Sequence, residues 1–504
     1  MFAKQPTVRL AFSLLSTLLR SVLVFATGMV LARRLGVEAF GNLEFLLGSF
    51  IALKSLLDLG TSTAFFTMLS QREQPRGFLW AYIVWQMLQF AVMLVLLVVI
   101  LPDEMVAGLW LSNDRGLLAT VFLASFLSEQ AWQTFTHIGE ARRRTVFVQS
   151  LGLFVGCAHL VLILGYSTFW TLKIESVLWF VVFEYLFVIG FGAGFLRDAP
   201  TSSVRYDFRE NLYEYVRMCK PLIAYTLMSF GTAYADNWLL QYFGGPSERG
   251  VYALAYRLAS AGMLISSAIV FVLWKEIGEA HARGDTAFVA SVYQRVTRFV
   301  WFGTAAFAGA LLPFSHEIAL LLVGADYPHS HLVVGLMLVY PMVAALGQVV
   351  GVLFLAMGLF HLQLRIGVLN FLLSLPIAYL LLADNSGWIG GLSLGAVGLS
   401  LKVLLVASIT VGVMVLMLGQ RGIRMDSLVY QLGVALSLVT LGFVNRELIA
   451  NSLINFGISP MAGYLLCLAA YFSILAFGVF RWPMLVGLSR QDLSGIAGLL
   501  KNSR

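Results

Sequence analysis

The chain has 504 residues, of which 59% are hydrophobic and only 12% are charged. Soluble proteins carry about 25% charged residues, so this composition excludes a soluble enzyme and indicates a polytopic membrane protein. The net charge of +7 does not call for nucleic acid, because cytoplasmic loops of membrane proteins collect Lys and Arg. The sequence has no P-loop, zinc-type cysteine spacing or basic-aromatic module, so no nucleic acid, metal or cofactor is expected.

Apolar runs long enough to cross a bilayer recur along the whole chain. In order, they cover residues 10–32, 43–69, 78–101, 117–138, 146–166, 176–196, 218–243, 251–274, 298–322, 331–357, 363–383, 394–418, 428–448 and 461–481. The predicted fold class is therefore an all-α integral membrane protein with about 14 transmembrane helices.

The basic residues predict the orientation of these spans. Of the 33 Lys and Arg, 23 fall at the termini or in loops after even-numbered spans, 6 fall in the other loops, and 4 lie inside spans. Because cytoplasmic loops are enriched in Lys and Arg, this asymmetry predicts that both termini are cytoplasmic.

A polar connection at the middle of the chain and a repeated glycine pattern suggest that the chain is built from two halves. Residues 197–217 form the longest polar connection, and their mixture of apolar and charged side chains predicts an amphipathic interfacial helix ended by Pro221. In addition, a Gly-x4-Gly pattern opens each half, at 36–41 and 245–250, with a constant offset of 209 positions. Glycines at these positions favour a tight turn between adjacent helices.

Several short motifs resemble those of a known family. They are LARRLGVEAFG at 31–41, GVYALAYR at 250–257, GADY at 324–327, LAMG at 355–358 and GAVG at 395–398. In this order and spacing they resemble polysaccharide transporters and O-antigen flippases of the multidrug/oligosaccharidyl-lipid/polysaccharide exporter superfamily.

The resemblance implies a MATE-like architecture of two six-helix lobes followed by two further helices. The corresponding boundaries are an N-lobe at 1–196, the linker at 197–217, a C-lobe at 218–418, and the last two spans with a cytoplasmic tail at 419–504. It also implies a non-enzymatic flippase in a bacterial inner membrane. The expected partners are membrane lipid, an undecaprenyl-diphosphate-linked oligosaccharide as substrate, and other proteins of O-antigen or exopolysaccharide assembly.

Four basic residues lie inside predicted spans, where a charge costs about 3 kcal/mol and needs a reason. They are Arg20, Lys54, Arg257 and Lys402, and our functional hypothesis is that they line a wet cavity and bind the diphosphate. Two structural explanations compete with it. Lys54 could pair with Asp58 four residues on, and Arg257 and Lys402 could extend towards the outer surface.

The acidic and aromatic residues in the spans have both functional and structural interpretations. Asp236 and Asp58 are the candidates for proton or cation coupling, although a helix–helix hydrogen bond explains Asp236 nearly as well. Glu129 and Glu184 are predicted to be protonated or hydrogen-bonded to neighbouring helices. Three aromatic residues could stack on sugars, with structural packing as the alternative: Trp132, Trp238 and Tyr234.

Two other functions remain to be compared with a flippase. A multidrug or metabolite cation antiporter of the same superfamily would need acidic rather than basic residues in its cavity. A membrane-embedded sugar polymerase or ligase would need a sizeable outer loop, whereas the longest outer loop, at 102–116, has about fifteen residues.

Overall fold

The computed structural model describes residues 6–71, 74–196, 208–324, 327, 329–385, 390–423, 428–452 and 458–487. These residues form helices and turns, and no strand occurs among them. Within this part of the chain, 11 helices are long and apolar enough to cross a membrane. The protein is therefore a multi-pass membrane protein.

Eighteen α-helices follow one another in the described residues. The first nine are α1 (Pro6–Leu35), α2 (Val37–Asp58), α3 (Thr61–Gln71), α4 (Arg76–Val95), α5 (Asp103–Trp110), α6 (Arg115–Ser125), α7 (Trp132–Ala141), α8 (Thr145–Phe169) and α9 (Ile174–Leu196). The others are α10 (Phe208–Leu239), α11 (Gly245–Ala282), α12 (Thr286–Leu311), α13 (Ser315–Val323), α14 (Ser330–Ala356), α15 (Phe360–Leu382), α16 (Gly395–Gly419), α17 (Leu428–Asn445) and α18 (Pro460–Arg481). Every predicted span coincides with one or two of these helices, which confirms the all-α fold class.

The second predicted span is two helices rather than one. Leu59 and Gly60 both have positive φ values, 45° and 85°, and they separate α2 from α3. The Asp58 carboxylate accepts hydrogen bonds from the Ser62 backbone N–H at 2.9 Å and from the Thr61 hydroxyl at 2.8 Å. Asp58 is the last residue of α2 rather than the N-cap residue of α3, but its carboxylate accepts from a first-turn N–H of α3 as a capping side chain does. Hydropathy predicted one span because both helices are apolar, and the break depends on this local hydrogen bonding.

Short π-helical turns interrupt several of the spans. One of them, Phe126–Ala131, joins α6 to α7 within the fourth predicted span. Others are Leu96–Ile100, Leu240–Gly244 and Arg446–Asn451. A π-turn inserts an extra residue and so redirects the side chains that follow, which is why such turns are frequent at functional sites.

The start of α10 differs from the prediction for the polar linker. Residues 197–207 lie outside the described part of the chain, and from Phe208 the chain is helical as far as Leu239. The predicted helix end at Pro221 is wrong. Proline removes only one backbone donor, and helices of membrane proteins tolerate that loss where neighbouring groups compensate for it.

The helices pack into two compact units that are not simple halves of the sequence. The first contains residues 1–254 and 374–399, and the second contains residues 255–373 and 400–504. In the first unit α1 packs against α8, and α10 packs against α2. The lobe boundaries expected at 196, 218 and 418 stay a prediction.

The second unit has a continuous apolar core between α12, α14, α16, α17 and α18. Tyr293, Val349 and Phe354 are fully buried in it. Gly309 on α12 and Gly442 on α17 allow their backbones to touch, since a Cβ on Gly442 would lie 1.9 Å from the Gly309 carbonyl oxygen. Small residues bring membrane helices together in this way because van der Waals packing drives their association.

Candidate functional site

Arg20 and Lys54 lie at similar depths on the first two helices of the first unit. The turn at Gly36 separates α1 from α2. With a rise of 1.5 Å per residue, Arg20 and Lys54 lie about 24 and 27 Å along their helices from that turn. This depth falls within a hydrocarbon core of about 30 Å.

The Arg20 side chain reaches α8 and α9. It is hydrogen-bonded to Tyr185 on α9. Its Nη1 atom also lies beside Gly152 on α8, where a Cβ would be 3.8 Å away. Arg20 is exposed, so the hydrogen bond to Tyr185 leaves the guanidinium accessible to a ligand.

Lys54 reaches the π-turn of the fourth span. Its Nζ atom donates a hydrogen bond of 2.8 Å to Gln133 Oε1 and lies 3.9 Å from Glu129 Oε2. The Lys54 side chain is 21% exposed and the Glu129 side chain 48% exposed. The lysine is therefore held between two polar partners, and the carboxylate remains open to its surroundings.

Trp132 connects the surroundings of the two basic residues. It is buried, and its ring lies 5.8 Å from the Tyr185 ring and 5.3 Å from the Phe135 ring. Arg20 and Glu129 both act electrostatically on Tyr185. One charged group of side chains therefore includes Arg20, Lys54, Glu129, Gln133 and Tyr185, which we call the Arg20–Lys54 cluster.

Asp58 lies close enough to Lys54 for an electrostatic interaction, but its hydrogen bonds serve the start of α3. Besides its bonds to Thr61 and the Ser62 backbone, it accepts one of 2.6 Å from the Ser62 hydroxyl. The direct contacts of Lys54 are with Gln133 and Glu129, so the structure brings Lys54 to the fourth span.

A buried polar network extends from α3 into the third and fourth spans, and sequence reasoning missed it. The Ser62 and Tyr82 hydroxyl oxygens lie 3.2 Å apart, and Gln86 Nε2 donates to the Tyr82 hydroxyl at 3.1 Å. Thr134 then donates to Gln86 Oε1 at 2.9 Å. A second arm joins Gln130 to Gln89 at 3.1 Å. The spacing is three residues between Gln86 and Gln89, and four between Gln130 and Thr134. In each span this spacing predicts one polar helix face.

Arg257 and Lys402 belong to the second unit. Arg257 lies on α11 and is partly buried, while Lys402 on α16 is only 4% exposed. Each of them interacts with a neighbouring group. The four predicted basic residues are thus divided equally, two in each unit.

Asp236 is partly buried on α10 and also has an interaction partner. The residues beside it have clear structural roles. Asn237 donates hydrogen bonds to the Phe45 carbonyl at 2.7 Å and the Ser49 hydroxyl at 2.9 Å, which holds α10 against α2. Tyr234 and Trp238 donate to the Leu109 and Gly108 carbonyls, both at 3.0 Å. These contacts favour structural packing over sugar stacking for the two aromatic residues.

Glu184 is hydrogen-bonded to a neighbouring helix, as predicted, through a partner that sequence reasoning did not identify. His159 Nδ1 on α8 lies 2.9 and 3.1 Å from the two carboxylate oxygens of Glu184 on α9. A histidine inside an apolar run was the available signal, but the sequence does not reveal which helix it faces.

The second unit also has an open apolar groove of about 600 Å³ at its surface. Its walls come from α12 and α18 and consist of Phe302, Gly303, Ala306, Phe307, Phe472, Leu475, Ala476, Val479 and Phe480. Among the described residues its lining is wholly apolar, so it suits a hydrocarbon chain.

The sequence matches no protein-family model and no curated protein. Solved structures are similar in fold. The lipid II flippase MurJ, in an inward closed conformation, has a TM-score of 0.66 and 12% identity, covering 93% of this chain and 99% of that chain. An inward-facing multidrug resistance MATE family transporter of the MOP superfamily has a TM-score of 0.60 and 15% identity, covering 80% and 94%.

A MOP superfamily transporter from Pyrococcus furiosus is similar as well, with a TM-score of 0.56, 14% identity, and coverage of 83% of this chain and 96% of that chain. Identities this low establish the fold alone. The fold is similar to the folds of these MOP superfamily transporters, which agrees with the predicted all-α, MATE-like fold class.

Proposed function

We propose that the protein is a flippase that carries a polyprenyl-diphosphate-linked oligosaccharide across the bacterial inner membrane by alternating access. The oligosaccharide would pass from the cytoplasmic to the outer leaflet. The observation that carries this proposal is the Arg20–Lys54 cluster, in which an exposed arginine and a partly buried lysine lie well inside the spans. Such residues are rare in membranes and mark substrate pathways.

The chemistry of a diphosphate fits this cluster. A lipid diphosphate carries at least two negative charges, which hydrocarbon does not solvate. The Arg20 guanidinium supplies several N–H donors in a planar fork, and the Lys54 ammonium supplies a compact charge with three donors. The hydrogen bonds to Tyr185 and Gln133 orient both side chains before the substrate arrives, which reduces the entropy lost on binding.

The open apolar groove on α12 and α18, at about 600 Å³, offers space for a segment of an isoprenoid chain. The fold similarity to a protein named as a lipid II flippase supports the same class of substrate. We propose that the cargo serves O-antigen or exopolysaccharide synthesis, together with other assembly proteins.

The remaining predicted residues have roles in the same proposal. Arg257 and Lys402 contribute basic charge from the second unit, and Asp236 and Asp58 are the candidates for coupling to an ion. We propose that the lobes at 1–196 and 218–418 alternate around the substrate, with residues 419–504 appended to them. The distribution of Lys and Arg supports our proposal that both termini lie in the cytoplasm.

A multidrug or metabolite cation antiporter is the second candidate. The fold similarity to a multidrug resistance MATE family transporter favours it. So does the position of Glu129, whose half-exposed carboxylate could bind a cation. The two candidates differ in which charge binds the cargo, because a flippase depends on Arg20 and Lys54 whereas an antiporter depends on Glu129.

The decisive experiment is depletion of the protein in its host, followed by extraction and mass spectrometry of the lipid-linked sugars. Accumulation of a diphosphate-linked oligosaccharide on the cytoplasmic face supports the flippase, and the mass identifies the sugar. If no intermediate accumulates and the cells become sensitive to cationic drugs, the antiporter is supported. Re-expression of an Arg20→Ala variant and a Glu129→Gln variant then shows which charge the cargo requires.

A further inference from the structure

His159 and Glu184 form a buried titratable pair in the membrane part of the first unit. Their side chains are 15% and 7% exposed, and the closest nitrogen–oxygen distance is 2.9 Å. Each lies about 16 Å along its helix from the turn at Trp170 that joins α8 to α9, near the middle of a hydrocarbon core of about 30 Å. The fold alone does not require a histidine and a glutamate at this depth.

Glu184 is the sequence neighbour of Tyr185, a member of the Arg20–Lys54 cluster. Glu184 precedes Tyr185, which is hydrogen-bonded to Arg20, and Arg20, Glu129 and Glu184 all act electrostatically on the Tyr185 hydroxyl. On α8, Gly152 faces Arg20, and His159 lies seven residues further on, on the same helix face.

The charged groups around the pair can be assigned helix by helix. Arg20 on α1 and Glu129 on the π-turn act electrostatically on Tyr185, the residue next to Glu184 on α9. Helices α2 and α6 also pack against α9. Lys54 on α2 contacts Gln133 and Glu129, and Arg115 on α6 pairs with Asp103. Helix α7 also packs against α8, but its titratable residues have other neighbours. His137 stacks on Phe66, and Glu140 is hydrogen-bonded to Gln149.

We propose that the His159–Glu184 pair binds a proton when an anionic substrate binds to the Arg20–Lys54 cluster and releases it when the substrate leaves. This inference rests on the proposed flippase function and adds a charge-compensation site to it. The proton comes from water and returns to water, and no covalent bond within the substrate changes.

The physical reason is the charge balance of the unit. A neutral imidazole and a carboxylate together have a charge of −1. One added proton, shared between them, gives no net charge, and a second added proton gives a charge of +1. A diphosphate beside Arg20 adds at least two negative charges in a medium of low dielectric constant, where electrostatic interactions are strong. The nearby negative charge favours the form of the pair that holds the extra proton. By linkage, protonation of the pair must then strengthen anion binding by the same factor.

A purely structural role for the pair makes a different prediction. In that case His159 and Glu184 only hold α8 against α9, and their replacement changes stability without changing how substrate affinity depends on pH. Neutral variants that preserve the hydrogen bond separate the two roles. In a double variant with His159→Gln and Glu184→Gln, an amide–amide hydrogen bond can replace the original contact.

The test measures the affinity of the purified full-length protein for undecaprenyl diphosphate in lipid nanodiscs between about pH 5 and 8. The wild-type protein should bind more tightly as the pH falls, by up to about tenfold per pH unit, the limit for one linked proton. The double variant should lack this component. The probe's own ionisation affects both proteins equally, so the difference between them reports the pair.

Glu175→Gln is the matched control, because it removes a carboxylate from an exposed position on the same helix. Its affinity should vary with pH as in the wild type. If the wild-type protein and a folded double variant have the same pH dependence, the proposal is overturned while the flippase function stands.

A second measurement separates this failure from failure of the flippase function. Infrared difference spectra of the protein without substrate report the carboxylic acid C=O stretch of Glu184, identified by its loss in Glu184→Gln. The ring vibrations of His159, identified by their loss in His159→Gln, report a proton taken up on the imidazole instead. A change in either signal as the pH falls shows that the pair takes up protons. If both signals stay constant, the proposal is overturned even if undecaprenyl diphosphate does not bind. Absence of binding at every pH, by contrast, contradicts the flippase function.

Discussion

Gly41 on α2 and Gly250 on α11 lie backbone against backbone, although 209 positions separate them in the sequence. A Cβ on Gly250 would lie 3.4 Å from Gly41 Cα and 2.5 Å from the Val37 carbonyl oxygen. The preceding glycines of the two patterns, Gly36 and Gly245, have positive φ values of 84° and 80°. The repeated Gly-x4-Gly pattern therefore has two uses, a turn at the first glycine and close helix contact at the second.

Replacement of Gly41 by Ala should destabilise the protein. The new Cβ would lie 1.8 Å from the Pro246 carbonyl oxygen, so the backbones of α2 and α11 must separate. Overpacking of this kind costs about 1–3 kcal/mol. Thermal unfolding in detergent should show a lower Tm. The control is Gly108→Ala on α5, where a Cβ would meet nothing within 4 Å, and equal Tm values for the two variants would contradict the close contact.

Replacement of Arg20 by Ala should abolish transport while the protein stays folded and in the membrane. Arg20 is exposed, so its removal should change the core little. The proposed substrate, by contrast, loses its hydrogen bonds and ion pair with the Arg20 guanidinium. Arg20→Lys should retain partial activity if charge matters more than the planar fork. Flux of a lipid-linked sugar into proteoliposomes measures this, with Arg481→Ala at the exposed end of α18 as the control. Wild-type flux in a well-expressed Arg20→Ala variant would refute the site.

Asp58 variants should distinguish helix capping from ion coupling. Loss of the capping hydrogen bond in Asp58→Ala should cost about 0.5–2 kcal/mol of stability. Asp58→Asn should keep most of it, because the asparagine Oδ1 can accept the same bonds from Thr61 and Ser62. If Asp58 couples transport to an ion, Asp58→Asn should fold normally and lose ion-driven transport. Normal coupling in Asp58→Asn would leave capping as its role.

Thr134→Val should weaken the buried polar network without changing side-chain volume. Thr134 donates to Gln86 Oε1, and interhelical hydrogen bonds in membranes contribute about 0.6 kcal/mol on average and at most about 1.7. We expect a loss of about 1 kcal/mol in the free energy of unfolding. Thr120→Val is the matched control, because the Thr120 hydroxyl donates within its own helix, to the Gly116 carbonyl. A loss of the same size in both variants would argue against the network.

Much of the fold could be predicted from the sequence because hydropathy is a local property. Each span needs about 20 apolar residues, and the runs that satisfy this condition coincide with the helices of the structure. The interruptions were less predictable. The break at Leu59 and Gly60 depends on the Asp58 cap, and the π-turn at Phe126–Ala131 lies where Glu129 and Gln130 interrupt the fourth span.

The candidate site divides in the same way. The sequence identified Arg20 and Lys54, since a charge inside an apolar run is visible without any knowledge of its neighbours. It did not identify Gln133 and Tyr185 as their partners, because glutamine and tyrosine are unremarkable in a span. His159 stands out as a histidine inside an apolar run, but the sequence does not reveal that it faces Glu184, which was predicted to be protonated or hydrogen-bonded to a neighbouring helix.

The sequence by itself determined that this chain is a helical membrane protein, where its spans lie, and which charged residues lie within them. These properties follow from the free energy of transferring each residue from water to hydrocarbon, which depends on the residue and its immediate neighbours. Only the tertiary structure decided that Lys54 meets Glu129, that Arg20 meets Tyr185, and that Gly41 touches Gly250. Those contacts depend on how separate helices rotate and pack, and lipid-exposed helices of similar hydrophobicity do not specify this packing locally.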